Sequence, residues 1–418
     1  FSKEAVRKYL NRISDKVNEK LGGFPPNFRS FFIDSLEIEG ANWSKGMAEE
    51  FIKRRGYDVL PYLPFILHKI GRMGNDYEPG YIAKVGDELE KELVRVRYDW
   101  ALTNAEVFRD NFVQTYVQWC RDNKVKSRAQ AYGRGYFLLE GSFEMDIPEC
   151  ESWLKYGLGK DISETEYTRY PWHRGQGYTM INKYVSSAAH LKGKKLISSE
   201  ELTNTEMVFN ESLELYKIAG DQSTISGVTY PVYSGFNYSP PDAPFPGWIR
   251  WGQVYSERNT MAPFIHLYSA YRTRLAALLQ QGTMFAEIGL LPPIPDMWGK
   301  LSAQNEPFPQ YVYPNYQVLI WESIHQNGNA CDYVSEQVIN DSDIRDGYLY
   351  YGSRRYHTIF LIEVRAISVP VLQKLYDFVT NGGKVICIET YPDHYPGWNQ
   401  HEERDGEVKK LVEKLKEF

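Results

Sequence analysis

The chain has 418 residues, a net charge of −6 and 43% hydrophobic composition. Without any Lys/Arg run, that balance argues against nucleic acid or an anionic membrane as partner. No apolar stretch reaches the roughly 20 residues of a membrane helix, and the length allows two domains or one large barrel with an addition.

Residues 1–23 carry apolar side chains at helical spacing (Val6, Leu10, Ile13, Val17, Leu21) and stop at Gly22-Gly23. A strand, RSFFID (29–34), follows. Helical patterns cover 46–55, 58–69 and 87–123, and KSRAQAY (126–132) reads as a second strand. Residues 176–191 and 205–219 are helical in pattern, with the short strand KKLISS (194–199) between them. TISGVTYPVYSGF (224–236) and TMFAEIGLL (283–291) read as strands on either side of a long helix over 259–281.

Strands alternate with helices, the pattern of a parallel α/β protein. Five strand-like units precede residue 292. The expectation is a (β/α)8 TIM-type barrel domain over 1–300, lacking its first three strand–helix units. An open doubly wound sheet is the alternative. Beyond it, QVLIWES (317–323), YHTIFLIEV (356–364) and KVICIETY (384–391) read as strands, with helices over 332–341 and 369–383 between them. That predicts a flavodoxin-like three-layer domain over 301–418, without a Gly-rich loop after its first strand, so nucleotide binding is not indicated.

The four cysteines are far apart, which favours neither a zinc site nor a disulfide framework. The 32 Tyr and 10 Trp suit stacking on sugar faces, and equally suit a large core.

Barrel enzymes keep their chemistry at the carboxyl ends of strands. Three acidic clusters are expected there: Asp34 with Glu37, the run Asp146-Ile147-Pro148-Glu149-Cys150-Glu151, and Glu200-Glu201. Two carboxylates from different strand ends supply the proton donor and the base or nucleophile of glycoside hydrolysis. The competing reading is that acidic residues after strands cap helices, which suits Asp34 and Asp146 better than Glu37 and Glu200. The cluster Asp146, Glu149, Glu151 is a candidate for oxygen ligation of Ca2+, or else an exposed acidic loop. Loop 235–251 is either a substrate-binding lip carrying Tyr238, Trp248 and Trp251 or a rigid rim. His173 is read as a structural hydrogen-bonding residue.

The run DSLEIEGANWSKGMAEEFIKRRGYDVLPYLP (34–64) resembles the opening signature of glycoside hydrolase family 106, the α-L-rhamnosidase-like proteins. DIPECESW (146–153), KLISSEELTN (195–204), GFNYSPPDAPFPGW (235–248) and RTRLAALLQQGTMFAEIGLLPPIPDMW (272–298) resemble later family segments in the same order. The resemblance implies inverting, exo-acting hydrolysis of terminal α-L-rhamnosides in oligo- or polysaccharides. It also implies a Ca2+ near the sugar, through Asp146, Glu149 and Glu151, and a periplasmic or secreted location. Carried over position by position, Glu37 is the general acid and Glu200 the base. Asp34 and Glu149 are supports, Glu149 also being an alternative base. Trp43, His173, Asn204, Tyr238 and Trp248 are the substrate-binding candidates. Tyr230 and Ser234 stand where relatives often carry histidines, which leaves the exact sugar open. A silent glycan-binding module and a retaining barrel glycosidase are the competing functions.

Overall fold

The computed structural model describes residues 1–34, 43–66, 85–131, 138–154, 176–204, 209, 211–248, 252, 254–301 and 317–418. In chain order the elements are α1 (Lys3–Leu21), β1 (Ser30–Ile33), α2 (Met47–Arg55), α3 (Asp87–Phe108), α4 (Gln114–Asp122), β2 (Lys126–Ala129), α5 (Leu138–Phe143) and β3 (Ile147–Trp153). Then come α6 (Gln176–Leu191), β4 (Ser198–Thr203), α7 (Leu213–Ile225), β5 (Tyr230–Tyr233), α8 (Ile265–Leu279) and β6 (Ile288–Leu291). They are followed by α9 (Ile294–Leu301), α10 (Gln317–Gln326), β7 (Cys331–Tyr333), α11 (Glu336–Asn340), β8 (Asp343–Arg345), β9 (Tyr348–Tyr351) and β10 (Arg354–Tyr356). The last are β11 (Thr358–Ile362), α12 (Val369–Thr380), β12 (Lys384–Ile388) and α13 (His401–Leu415). The chain is an α/β protein in two compact units, Phe1–Asp146 with Ala286–Tyr313 and Cys331–Phe418, and Ile147–Phe285 with Pro314–Ala330.

In the first unit the helix signals act as read. Ser2 Oγ accepts from Ala5 N–H (3.2 Å) at the start of α1, and Gly22, at φ 70°, ends it in the left-handed region. Helix α3 continues through a π-helical turn, Arg109–Val113, into α4. Its Leu93, Val96, Trp100 and Val107 bury against Met47 and Phe51 of α2. Strands β1 and β2 pair in parallel, Ser30 opposite Lys126 through Ile33 opposite Ala129. The Tyr116 hydroxyl of α4 donates to the Phe31 and Arg128 carbonyls (2.8 and 3.1 Å), tying both strands to the helix.

The same unit holds a parallel sheet in the order β12-β11-β6-β7 and an antiparallel sheet β10-β9-β8. Two expectations are corrected here. TMFAEIGLL does not continue the early strands. Its Ile288–Leu291 portion pairs with β11 and β7, at the centre of the later sheet. QVLIWES is the helix α10, and the strand preceding β11 in the parallel sheet is instead Cys331–Tyr333. A four-residue apolar run has no period that separates strand from helix, and here the helix won.

In the second unit β3, β4 and β5 are parallel neighbours, with α6, α7 and α8 in sequence around them. Again the acidic segments were misplaced by the sequence reading. DIPECESW is not a loop after a strand: it is strand β3 itself, buried along nearly its whole length. Glu200 and Glu201 do not follow a strand over 194–199, since β4 begins at Ser198 and contains both. Charged residues in a strand interior mask the apolar signature by which buried parallel strands are recognised.

Candidate active site

Strand alternation sorts the acidic residues of the second unit into two faces. Glu149 and Glu151 point to one side of β3, and Cys150 to the other. The register sets Glu149 opposite Ser198 and Glu151 opposite Glu200. Three carboxylates therefore share one face of two adjacent strands. Each is held by a neutral donor. Ser198 Oγ donates to Glu149 Oε2, the Trp153 indole donates to Glu151 Oε1, and Thr203 Oγ1 donates to Glu200 Oε1 at 2.8 Å. Glu149 is fully buried, Glu151 nearly so, and Glu200 half-buried.

Glu201 points the other way, toward the helices. Its carboxylate is fully buried and takes the Arg272 Nη2 of α8 at 2.6 Å. Arg272 also donates to the Gly220 carbonyl of α7 (2.7 Å) and to Thr224 Oγ1. Burial pushes the Glu201 carboxyl up to about 7, opposed by the Arg272 charge. The guanidinium lies tight against α7: a Cβ at Gly220 would come within 2.3 Å of the Tyr268 hydroxyl and 3.1 Å of Arg272 Nε. Between the faces, the register slips by one residue after Glu200, with Leu202 at φ 68°. This irregularity returns Thr203 to the face of Glu200, where its hydroxyl reaches that carboxylate, while Glu201 points the other way. Sequence reasoning missed Ser198, Thr203 and Arg272; period-two alternation along SSEELT was the available signal.

The other expected residues fall in several places. Glu37 and His173 lie outside the described residues. Asp34 directly follows β1 and is exposed. Trp43 is 45% exposed and stacks on Trp100, ring centroids 5.9 Å apart, so it is anchored to α3 with one side open. Asn204 is fully buried at the end of β4. In the loop after β5, Tyr238 and Trp248 are 72% and 65% exposed. That loop is held from within: Ser239 Oγ accepts the Trp248 N–H (2.9 Å), and Arg258 donates to the Pro240 and Ala243 carbonyls (3.3 Å). The backbone is thus constrained while both rings are exposed.

Asp146 accepts the Ser127 N–H and hydroxyl (2.9 and 3.0 Å), which ties it to β2. Glu149 and Glu151 have the partners given above. Among the described residues no group of three or more His, Cys, Asp or Glu side chains is gathered to hold a metal ion. The trio Asp146, Glu149, Glu151 thus does not fit a calcium site by itself, and no chemistry is derived through one. None of the four cysteines is in a disulfide among the described residues. No helix among the described residues is long and apolar enough to cross a membrane.

Comparison with known proteins adds the following. The model of glycoside hydrolase family 106, alpha-L-rhamnosidase, matches residues 1–417. A Formosa agariphila protein named "Putative beta-glucuronidase" is 24% identical over 414 residues, 98% of this chain and 30% of that protein. The structure of a rhamnosidase from Novosphingobium sp. PP1Y superposes with TM-score 0.67 at 22% identity, over 98% of this chain and 36% of that one. A cold-adapted beta-galactosidase from Rahnella sp. R3 follows at TM-score 0.57 and 13% identity, over 91% and 54% of the two chains. The chain thus spans about a third of the first two proteins and shares its fold with glycosidases.

Proposed function

The chain belongs to glycoside hydrolase family 106, and on that premise we propose that it carries the catalytic carboxylates of an inverting exo-α-L-rhamnosidase acting on rhamnose-containing glycans. One observation carries the reading: Glu149, Glu151 and Glu200 share one face of β3 and β4, and each accepts a hydrogen bond from a neutral donor. Carboxylates oriented by hydroxyls keep their charge available for water or sugar, as a hydrolytic site needs. In the proposed step, Glu200 takes a proton from a water whose oxygen bonds to the anomeric carbon. Glu37 gives its proton to the departing glycosidic oxygen as that bond breaks. Glu149 orients its neighbours, or takes the base role itself, and Asp34 orients Glu37. Trp43, Asn204, Tyr238 and Trp248 contact the sugar, with Tyr238 and Trp248 as exposed platforms. A barrel built on the parallel strands, completed by further sequence, belongs to the same proposal, as does a periplasmic or secreted location. Calcium enters through the family alone; a chelator-induced drop in melting temperature, reversed by Ca2+, would support it.

The test is hydrolysis of an aryl α-L-rhamnoside by the protein carrying this chain, followed by proton NMR. The β-anomer should form first, since inversion places water opposite the leaving group. First release of the α-anomer would move the protein to a retaining mechanism. The name of the Formosa relative motivates one competing substrate: hydrolysis of an aryl β-D-glucuronide and not of the rhamnoside would overturn the sugar assignment. Calorimetric binding of rhamnoside with no release of sugar from any glycan would favour a silent binding module.

A further inference from the structure

The later parallel sheet of the first unit runs β7-β6-β11-β12, which is second-first-third-fourth in chain order, the order of flavodoxin-like sheets. In sheets of this order right-handed crossovers put the connections from the first and third strands, here β6 and β11, on opposite faces, and a crevice lies beyond their carboxyl ends. In such sheets that crevice is where ligands bind. Here it is a cavity of about 500 Å3, within the range of small-molecule sites. All four strands contribute the residues that follow them: Leu291 and Pro292 after β6, Ser335 and Glu336 after β7, Ser368 after β11, Tyr395 after β12. Tyr98 of α3 and Trp298 of α9 close the wall, their ring centroids 6.3 Å apart at 40°. None of the candidate active-site residues lines it.

The chemistry of the wall narrows the ligand. Glu336 Oε1 accepts the N–H of Ser368, the residue that begins α12, at 3.3 Å. A carboxylate therefore stands where a nucleotide-binding sheet would receive a phosphate. Glu106, held by Arg54 and Arg55, and Arg109, paired with Asp110 at 3.0 Å, also line the wall. The Glu336 carboxylate at the start of α12 disfavours an anion there, and a purely apolar ligand would shut Glu336 and the Ser335 hydroxyl off from solvent. An aromatic wall faced by a carboxylate and hydroxyls suits a ring with an apolar face and a hydroxyl rim.

We propose that this cavity is a second ligand site, for a neutral polyhydroxylated ring the size of a mono- or disaccharide, with Trp298 and Tyr98 against its apolar face and Glu336 bonded to its hydroxyls. Burial pushes the Glu336 carboxyl up to about 7, so near neutrality it can donate as well as accept. The site is independent of the hydrolytic reading above.

The test is saturation-transfer NMR and thermal shift on the full chain, carried in a Glu200→Gln background. The probes are methyl α-L-rhamnoside, methyl β-D-galactoside and methyl β-D-glucoside, with FMN and AMP as anionic controls. At least one glycoside should bind, and Glu336→Gln should weaken it tenfold or more. Asn340→Trp and Gln337→Trp, at exposed lining positions that carry no core packing, should abolish that binding with an unchanged melting temperature. The proposal is overturned if no glycoside binds, if FMN or AMP binds in place of the glycosides, or if glycoside binding survives both tryptophan substitutions.

Discussion

The two faces of β4 carry neighbouring glutamates with opposite surroundings. Glu200, half-buried, shares its face with Glu149 and Glu151 and is held by a threonine hydroxyl. Glu201, one residue on, is sealed against a guanidinium that is itself clamped to α7. The first arrangement orients a carboxylate through a neutral donor. The second consumes the charge in tying strand to helix. Adjacent identical residues thus face different surroundings, and the pleat decides which residue meets which.

Four measurements break or sharpen that contrast. Glu200→Gln should lower kcat/KM by about 10²–10⁴, the usual worth of a positioned acid or base, with a urea midpoint near that of the parent. A large stability loss with activity intact would reverse the two faces. Arg272→Ala should destabilise by about 3–5 kcal/mol, because it leaves the Glu201 carboxylate buried and unpaired, and the paired change Glu201→Leu with Arg272→Met should recover most of it. Recovery by neither would mean that the pair is not the tie described.

The third measurement moves to a buried carboxylate of the first unit. Glu336 keeps its proton in the folded chain up to about 7, whereas in the unfolded chain it loses it near the ordinary carboxylate value. Between those pH values the folded state holds more protons, so stability should fall as pH rises through the window, by on the order of 2 kcal/mol. Urea unfolding at pH 5 and pH 8 should show this fall, and Glu336→Gln should flatten it. Smallest of all, Trp248→Ala and Tyr238→Ala should each raise KM by roughly 2–10-fold, the worth of one aromatic contact. Stability should change by less than about 0.5 kcal/mol for rings so exposed. An unchanged KM in both would return the loop to a merely structural rim.

Much of the helical framework was legible. The apolar spacing and Gly22 stop of α1, the long run of α3 and α4, and α6 over 176–191 all stand where the pattern put them. Amphipathic helices advertise themselves because one face must stay apolar. The acidic strands were not legible as strands. In β3, DIPECESW hides two carboxylates among buried neighbours, and a reader of polarity sees a loop. The exchange of TMFAEIGLL between sheets had the same origin, since a short apolar strand does not record which neighbours it pairs with.

By itself the sequence determined the class of the protein. Ordered motifs from Asp34 to Trp298 carried the resemblance to the family, and the strand–helix alternation, a local property of spacing, carried the α/β architecture. Only the tertiary structure decided which carboxylates share a face, that Glu201 belongs to Arg272, and that β6 lies between β7 and β11 above a cavity. Those facts depend on register and on partners up to some seventy residues away, such as Glu201 and Arg272. Such contacts arise where burial must be satisfied by hydrogen bonds from whatever the fold brings near.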